Sequence, residues 1–143
     1  MKTFFTTLLV TFSVFFMHAQ EWQTSLVSAK EIAAKENKKI ILVFQGSDWC
    51  APCIKLDRKI WQSSDFKTYA KDHFVMLKAD FPRRRKNKLP KEQEQKNNAL
   101  AAKYNPNGHF PLVVVLNKKG EVLGKIGYKN VKPTAYIKLL NAL

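Results

Sequence analysis

The chain is poor in residues that staple or chelate. Its 143 positions hold two cysteines, Cys50 and Cys53, and three histidines, His18, His73 and His109. A closed zinc site normally draws four ligands in paired spacing, and His73 and His109 stand far apart without such a pair. A chain of this length buries a real core without crosslinks, so an inert disulfide staple is not required. Acidic residues are also scarce, 11 against 25 Lys and Arg, for a formal charge of +14. No hydrophobic run reaches the roughly 20 residues that cross a bilayer. There are no internal repeats, and length and composition point to one domain.

The run from Phe4 to Met17 in "MKTFFTTLLVTFSVFFMHAQ" is uncharged, follows Lys2 and spans 14 residues. That length suits the apolar part of a secretory leader. Residues 1–19 are therefore read as a signal peptide cut after Ala19, with an uncleaved membrane anchor as the alternative, and residues 20–143 as the domain. No cysteine follows the run, so a lipid-modified N-terminus of the bacterial lipoprotein kind is not available. Loss of Lys2 leaves 24 basic and 11 acidic residues, a charge of +13. Such a field attracts acidic proteins, anionic lipid or nucleic acid; export argues against the last, and no nucleic-acid partner is expected.

Trp22, Leu26, Ala29 and Ala33 recur at helical spacing and predict a helix over 24–37. "KIILVFQ", 39–45, and "FVMLKAD", 74–80, are nearly continuous apolar runs, the pattern of strands buried on both faces. Pro52 supports a helix starting at Ala51, where a missing N–H costs nothing, and Ser64–Asp65 opens a further helical segment to Asp72. A helix over Lys91–Tyr104, the turn "NPNG", a hairpin over 111–128 and a helix from Pro133 follow. The expected class is α/β, with a mixed central sheet flanked by helices on both faces.

Cys50 and Cys53 in "SDWCAPCIKL" lie one helical turn apart at a helix start. Unpaired N–H groups and the positive end of the helix stabilise a thiolate at Cys50. Cys53 is placed to attack a mixed disulfide on Cys50 and release the product. Zinc, copper and an inert staple remain alternative readings, each less supported than thiol-disulfide exchange.

"ILVFQGSDWCAPCIKL" with "GHFPLVVVLNKKGEVLGKIGY" resembles the thioredoxin superfamily, in particular its secreted bacterial thioredoxin-like members, over residues 22–143. The resemblance implies the thioredoxin fold and thiol-disulfide oxidoreductase activity. It makes Cys50 the nucleophile, Cys53 the resolving cysteine and Pro111 the cis-proline beside them. Trp49, Ala51, Pro52, Phe110 and Pro111 then form the substrate groove, Phe110 pairing through its backbone with an extended substrate.

Two departures stand out. The family's buried Asp six residues before the first cysteine is Phe44 here, and its partner Lys on the next strand is expected at Met76. Water, Asp48, Lys78 or His109 are the candidates to move the proton instead. Secondly, the segment between Asp80 and Pro111 is long, with a basic insertion about 82–98, and connections of this length often carry function. Arg83, Arg84 and Arg85 there are candidates for docking acidic partners, although a solvated basic face is the plainer reading. Trp22, Trp61, Phe66, Tyr69 and Phe74 read as core, His73 as a helix end, and Tyr128 as a residue of the groove edge.

The expectation is an exported, periplasmic, monomeric thiol-disulfide oxidoreductase with no metal and no cofactor beyond its redox disulfide. Its expected partners are protein thiols and disulfides, a membrane electron donor or acceptor, and acidic protein surfaces. The competing reading is a non-catalytic thioredoxin-fold binding module.

Overall fold

A computed structural model describes residues 20–143, so the expected leader over 1–19 lies outside the described residues. The chain enters through a short strand, β1, Trp22–Gln23, and continues into helix α1, Leu26–Glu36. Trp22 thus departs from its expected place on the first helix. Ser25 is extended at the N-cap and resets the chain direction, and Trp22 pairs instead with Met76 on the sheet. Asn37 closes α1 in the left-handed conformation at φ 53°, and Lys38 N–H donates back to Ala33 O at 3.0 Å. Asn tolerates that region better than most residues, which is why the helix stops here.

Strand β2, Lys39–Gln45, leads to helix α2, Ala51–Leu56, which runs on into a π-helical turn, Asp57–Trp61. Helix α3, Ser64–His73, starts where Ser63 Oγ accepts from Phe66 N–H at 3.2 Å. Strand β3, Phe74–Asp80, helix α4, Lys91–Tyr104, strands β4, Leu112–Leu116, and β5, Val122–Ile126, and helix α5, Pro133–Asn141, complete the domain.

The strands form one mixed sheet in the order β1-β3-β2-β4-β5. β2 and β3 run parallel, and β4 is antiparallel to both of its neighbours, β2 and β5. Because side chains alternate across a strand, β2 feeds two separate cores. Ile41 and Val43 join Met76, Trp61, Phe66 and Tyr136 under α2, α3 and α5. Ile40, Leu42 and Phe44 join Leu77, Ala79, Leu100 and Tyr104 under α1 and α4. The central strand is buried from Ile40 to Phe44 for this reason, and a helix layer covers each face as expected.

This alternation corrects one expectation. Phe44 and Met76 were to be the positions of a lost ion pair, yet they face opposite sides of the sheet. The register partner of Phe44 on β3 is Ala79, while Met76 stands opposite Ile41. The position beside Phe44 is therefore apolar, but through Ala79.

The basic segment after β3 forms no long helix of its own. Its centre is a single 3-10 turn, Arg85–Asn87, and α4 begins only at Lys91. Asn97, buried on the inner face of α4, ties the two ends of this excursion by donating to Asp80 O at 2.8 Å. Gln93 supports it, donating to Asn97 Oδ1 at 2.8 Å and to Thr24 O at 3.0 Å.

Candidate active site

Cys50 ends an extended stretch and serves as the N-cap of α2, with φ −89° and ψ 100°. Its own N–H donates to Gly46 O at 2.9 Å, and its carbonyl receives Ile54 N–H at 3.0 Å. The turn Gly46–Trp49 thereby delivers the cysteine to the helix start. Cys50 and Cys53 are joined in a disulfide with Cα atoms 5.2 Å apart. Cys53 N–H points at Cys50 Sγ, 3.4 Å away, so a helix-terminal donor already faces the sulfur on which negative charge would develop. Cys50 and Cys53 retain only 5% and 3% of their surface, so a partner must bring its own sulfur to the pair. Ala51 and Pro52 are exposed beside them and leave that approach open.

The motif is held by groups on β3 and the basic segment. Asp80, at the end of β3, accepts Ser47 N–H at 2.9 Å and Ser47 Oγ–H at 2.6 Å. The Trp49 indole lies directly on Gly46, where any Cβ would overlap its Cε2 and Nε1 atoms. Its N–H donates to Phe81 O at 2.7 Å. The ring meets Phe110 edge-on at 5.6 Å, and Phe110 meets Phe81 at 5.5 Å. Phe110 precedes Pro111 through a cis peptide bond. Trp49, the residue before Cys50, is thus in contact with Phe110, the residue before Pro111.

The sequence candidates for proton transfer fall in three different places. Asp48 is fully engaged: it accepts Arg83 N–H at 2.9 Å, Arg84 N–H at 3.0 Å and Asn87 Nδ2–H at 2.9 Å. These donors, the Arg83 amide foremost and then Asn87, hold its carboxyl below the ordinary carboxylate value. It is an anchor for the basic segment, and a carboxylate so held is a weak base. Lys78 stands opposite Val43, with its ammonium 5.3 Å over the Trp22 ring at the sheet edge. His109 is exposed, its backbone held at both ends by the buried Asn105 side chain at 2.9 and 2.8 Å.

The arginine triplet is likewise divided. Arg83 lies with its guanidinium 3.6 Å over the Trp49 ring, whereas Arg84 and Arg85 are exposed without a side-chain partner among the described residues. His73 stacks on Tyr69 at 3.9 Å on a helix far along the chain from the motif. Tyr128 packs against the core under α2, α3 and α5, its hydroxyl near Asn130 Oδ1 at 3.3 Å. Among the described residues no three His, Cys, Asp or Glu gather in a way that would hold a metal.

The thioredoxin-like family model matches residues 21–118, a span that includes the motif, Asp80 and Pro111. The chain belongs to the thioredoxin-like family. It is 41% identical over 117 residues to the disulfide bond reductase DsbH of Chlamydia pneumoniae, covering 82% of this chain and 68% of that protein. A solved DsbH oxidoreductase superposes with a TM-score of 0.79 at 37% identity, over 87% of this chain and 83% of that one. A thioredoxin from Thermus thermophilus shares the fold at a TM-score of 0.64 and 15% identity, over 87% of this chain and 86% of that one. With the cysteine pair joined at the head of α2, this thioredoxin-like chain is a thiol-disulfide oxidoreductase rather than a binding module.

Several residues that hold the motif and its neighbours were not singled out by sequence. Asp80 and Ser47 lock the motif to β3, and the only hint was an Asp closing an apolar run before "FP". Asn97 was legible in principle: with Leu100 and Tyr104 it forms a three-four spacing, a polar residue on an apolar stripe. Asn105 belonged to a recognised turn signal but was not seen as a buried clamp on His109.

The Asp48 anchor has a pH signature. A carboxyl whose folded pKa lies below its unfolded one stabilises the fold above the unfolded value, about 4, and loses that contribution as pH falls through the folded value. Hydrogen-exchange protection at the Arg83 and Arg84 amides is expected to hold at pH 6 and to fall below about pH 4. Asp48→Ala should show the low protection at both pH values; protection that survives in the variant would mean that another group anchors the segment.

Proposed function

We propose that the protein is a disulfide bond reductase acting on protein disulfides outside the cytoplasm. The observation that carries the direction is the 41% identity to a relative named as a disulfide bond reductase, over most of both chains. The apolar run at Phe4–Met17 supports export to a compartment where disulfides form and need such control.

In the proposed cycle the reduced pair does the work. The Cys50 thiolate attacks one sulfur of a substrate disulfide, forming a mixed disulfide and releasing the first substrate thiolate, which takes up a proton. Cys53 then attacks Cys50 Sγ as a thiolate, closes the Cys50–Cys53 disulfide and releases the second substrate thiol. Two electrons pass to the substrate, and a dithiol donor, of which a membrane electron carrier is the cellular candidate, returns them. Cys50 at the helix cap is the nucleophile because Cys53 N–H already faces its sulfur. The groove beside Trp49, Phe110 and Pro111 receives the substrate as an extended segment, whose backbone pairs with Phe110. Within the protein the cysteine pair itself holds both electrons, and Asp48, being fully hydrogen-bonded, serves position rather than proton transfer.

Equilibration with glutathione tests the direction. A reductase is expected near the reducing end of the C-x-x-C range, about −270 mV, whereas a value near about −120 mV would make the protein a disulfide former.

A further inference from the structure

We infer that Arg83 reads a substrate carboxylate: its guanidinium favours disulfides in which an Asp or Glu lies within about two residues of the cysteine attacked by Cys50. This inference rests on the reductase reading above. It concerns which disulfides that site takes.

Arg83 is exposed, yet it is fixed at both ends. Its backbone N–H is held by Asp48 at 2.9 Å, and its guanidinium sits 3.6 Å over the Trp49 ring. The ring itself is held by the Phe81 carbonyl, with Gly46 beneath it. An arginine ordered before binding loses less freedom when it takes a ligand. A guanidinium lying face-on to a ring also keeps its in-plane N–H donors for a planar acceptor, and carboxylate fits that fork. Among the described residues no carboxylate pairs with it: the ion pairs there are Lys38–Glu36 and Lys96–Glu92. Asp48 is spent on backbone amides and on Asn87.

Position gives the cation its meaning. Trp49 immediately precedes Cys50, and its other edge meets Phe110, the residue before Pro111. A substrate segment laid between the motif and Phe110–Pro111 therefore passes beside the guanidinium. Trp49 is the residue next to Cys50, and one extended substrate residue advances about 3.3–3.6 Å, so the positions tested are those within two residues of the attacked cysteine. Arg84 and Arg85 have no comparable support and contribute only to the general positive field.

The test uses two disulfide-linked peptides, identical except for Glu or Gln at the two positions on either side of the cysteine. They are reduced by the dithiothreitol-charged protein, and the ratio of their kcat/KM values is read. Wild type is expected to favour the Glu peptide about fivefold, the scale of a favourable exposed ion pair. Arg83→Met, which can still cover Trp49 with apolar atoms, should bring the ratio to about one, and Arg83→Lys should leave it between the two. A general disturbance of the motif would slow both peptides and leave the ratio alone. Equal rates for the two peptides in wild type would overturn the inference, as would a ratio that persists in Arg83→Met. So would an equal drop in Arg84→Met/Arg85→Met, since that would assign the preference to the diffuse field. Failure of wild type to reduce either peptide would instead remove the reductase reading, and this inference with it.

Discussion

Cys50→Ser is expected to bring insulin reduction down to the rate of dithiothreitol alone, while Cys53→Ser should trap a mixed disulfide with the substrate. The asymmetry follows from position. Cys50 caps α2 and has Cys53 N–H aimed at its sulfur, so charge on that sulfur is stabilised by the helix end. A serine hydroxyl does not ionise under these conditions and cannot open a disulfide, so the first step is lost. Without Cys53 the first step proceeds, but nothing nearby closes the ring on Cys50 Sγ. The trapped adduct should appear as a mass shift equal to the substrate and should collapse on added reductant. Turnover retained by Cys50→Ser would place the nucleophile elsewhere and defeat the assignment of roles.

Phe44→Asp is expected to destabilise the protein by at least about 4 kcal/mol at neutral pH, and by less in acid. Phe44 is fully buried among Leu77, Ala79, Leu100 and Tyr104, with Ala79 as its register partner. The substitution removes a core ring and puts a carboxyl into that apolar layer. Burial disfavours the charged form, so the folded pKa of the introduced group lies above its unfolded value. Its protonated form is then the tolerated one. Stability is best below the unfolded value, about 4, and falls as pH rises through the folded pKa. Urea denaturation at pH 5 and pH 8 reads this directly; equal midpoints at the two values would show that the carboxyl finds water or a partner at this position. The loss is large against the roughly 5–15 kcal/mol that hold a typical domain together.

The absence of an ionisable group at Phe44 also bears on how the resolving step gains its thiolate. With Ala79 rather than Met76 beside it, no charged pair occupies that level of β2 and β3. Asp48 lies in the motif but is committed to three donors, and Lys78 faces Trp22 at the sheet edge. We propose that solvent or the exposed His109 takes the proton of Cys53 instead.

Local chemistry made much of this protein readable from its residues. The runs 39–45 and 74–80 became strands with the expected bounds because short, nearly continuous apolar runs with β-branched residues suit a strand covered on both faces. Pro52 marked the start of α2 because proline is accommodated in a first helical turn. The spacing of Cys50 and Cys53 at a helix start pointed to redox chemistry, whereas the part expected of Phe110–Pro111 came from the family resemblance and not from the residues themselves. Each of the strand, helix-start and cysteine signals is contained within a few consecutive residues, where covalent geometry limits the choices.

What depended on residues distant in sequence had to wait for the fold. Trp22 matched a helical stripe but went to the sheet, since pairing with Met76 and contact with Trp61 lie outside any local window. The partner of Phe44 followed from strand register, where a shift of one residue exchanges the two faces. The basic run 83–85 read as three equivalent charges. The structure divided it into one arginine stacked on Trp49 and two in solvent, because Asp48, 35 residues earlier, fixes the backbone at Arg83. Sequence by itself determined the chemistry of the cysteine pair and the layers that carry it; the tertiary structure decided which groups surround the pair, because those contacts join residues that only the folded chain brings within hydrogen-bonding distance.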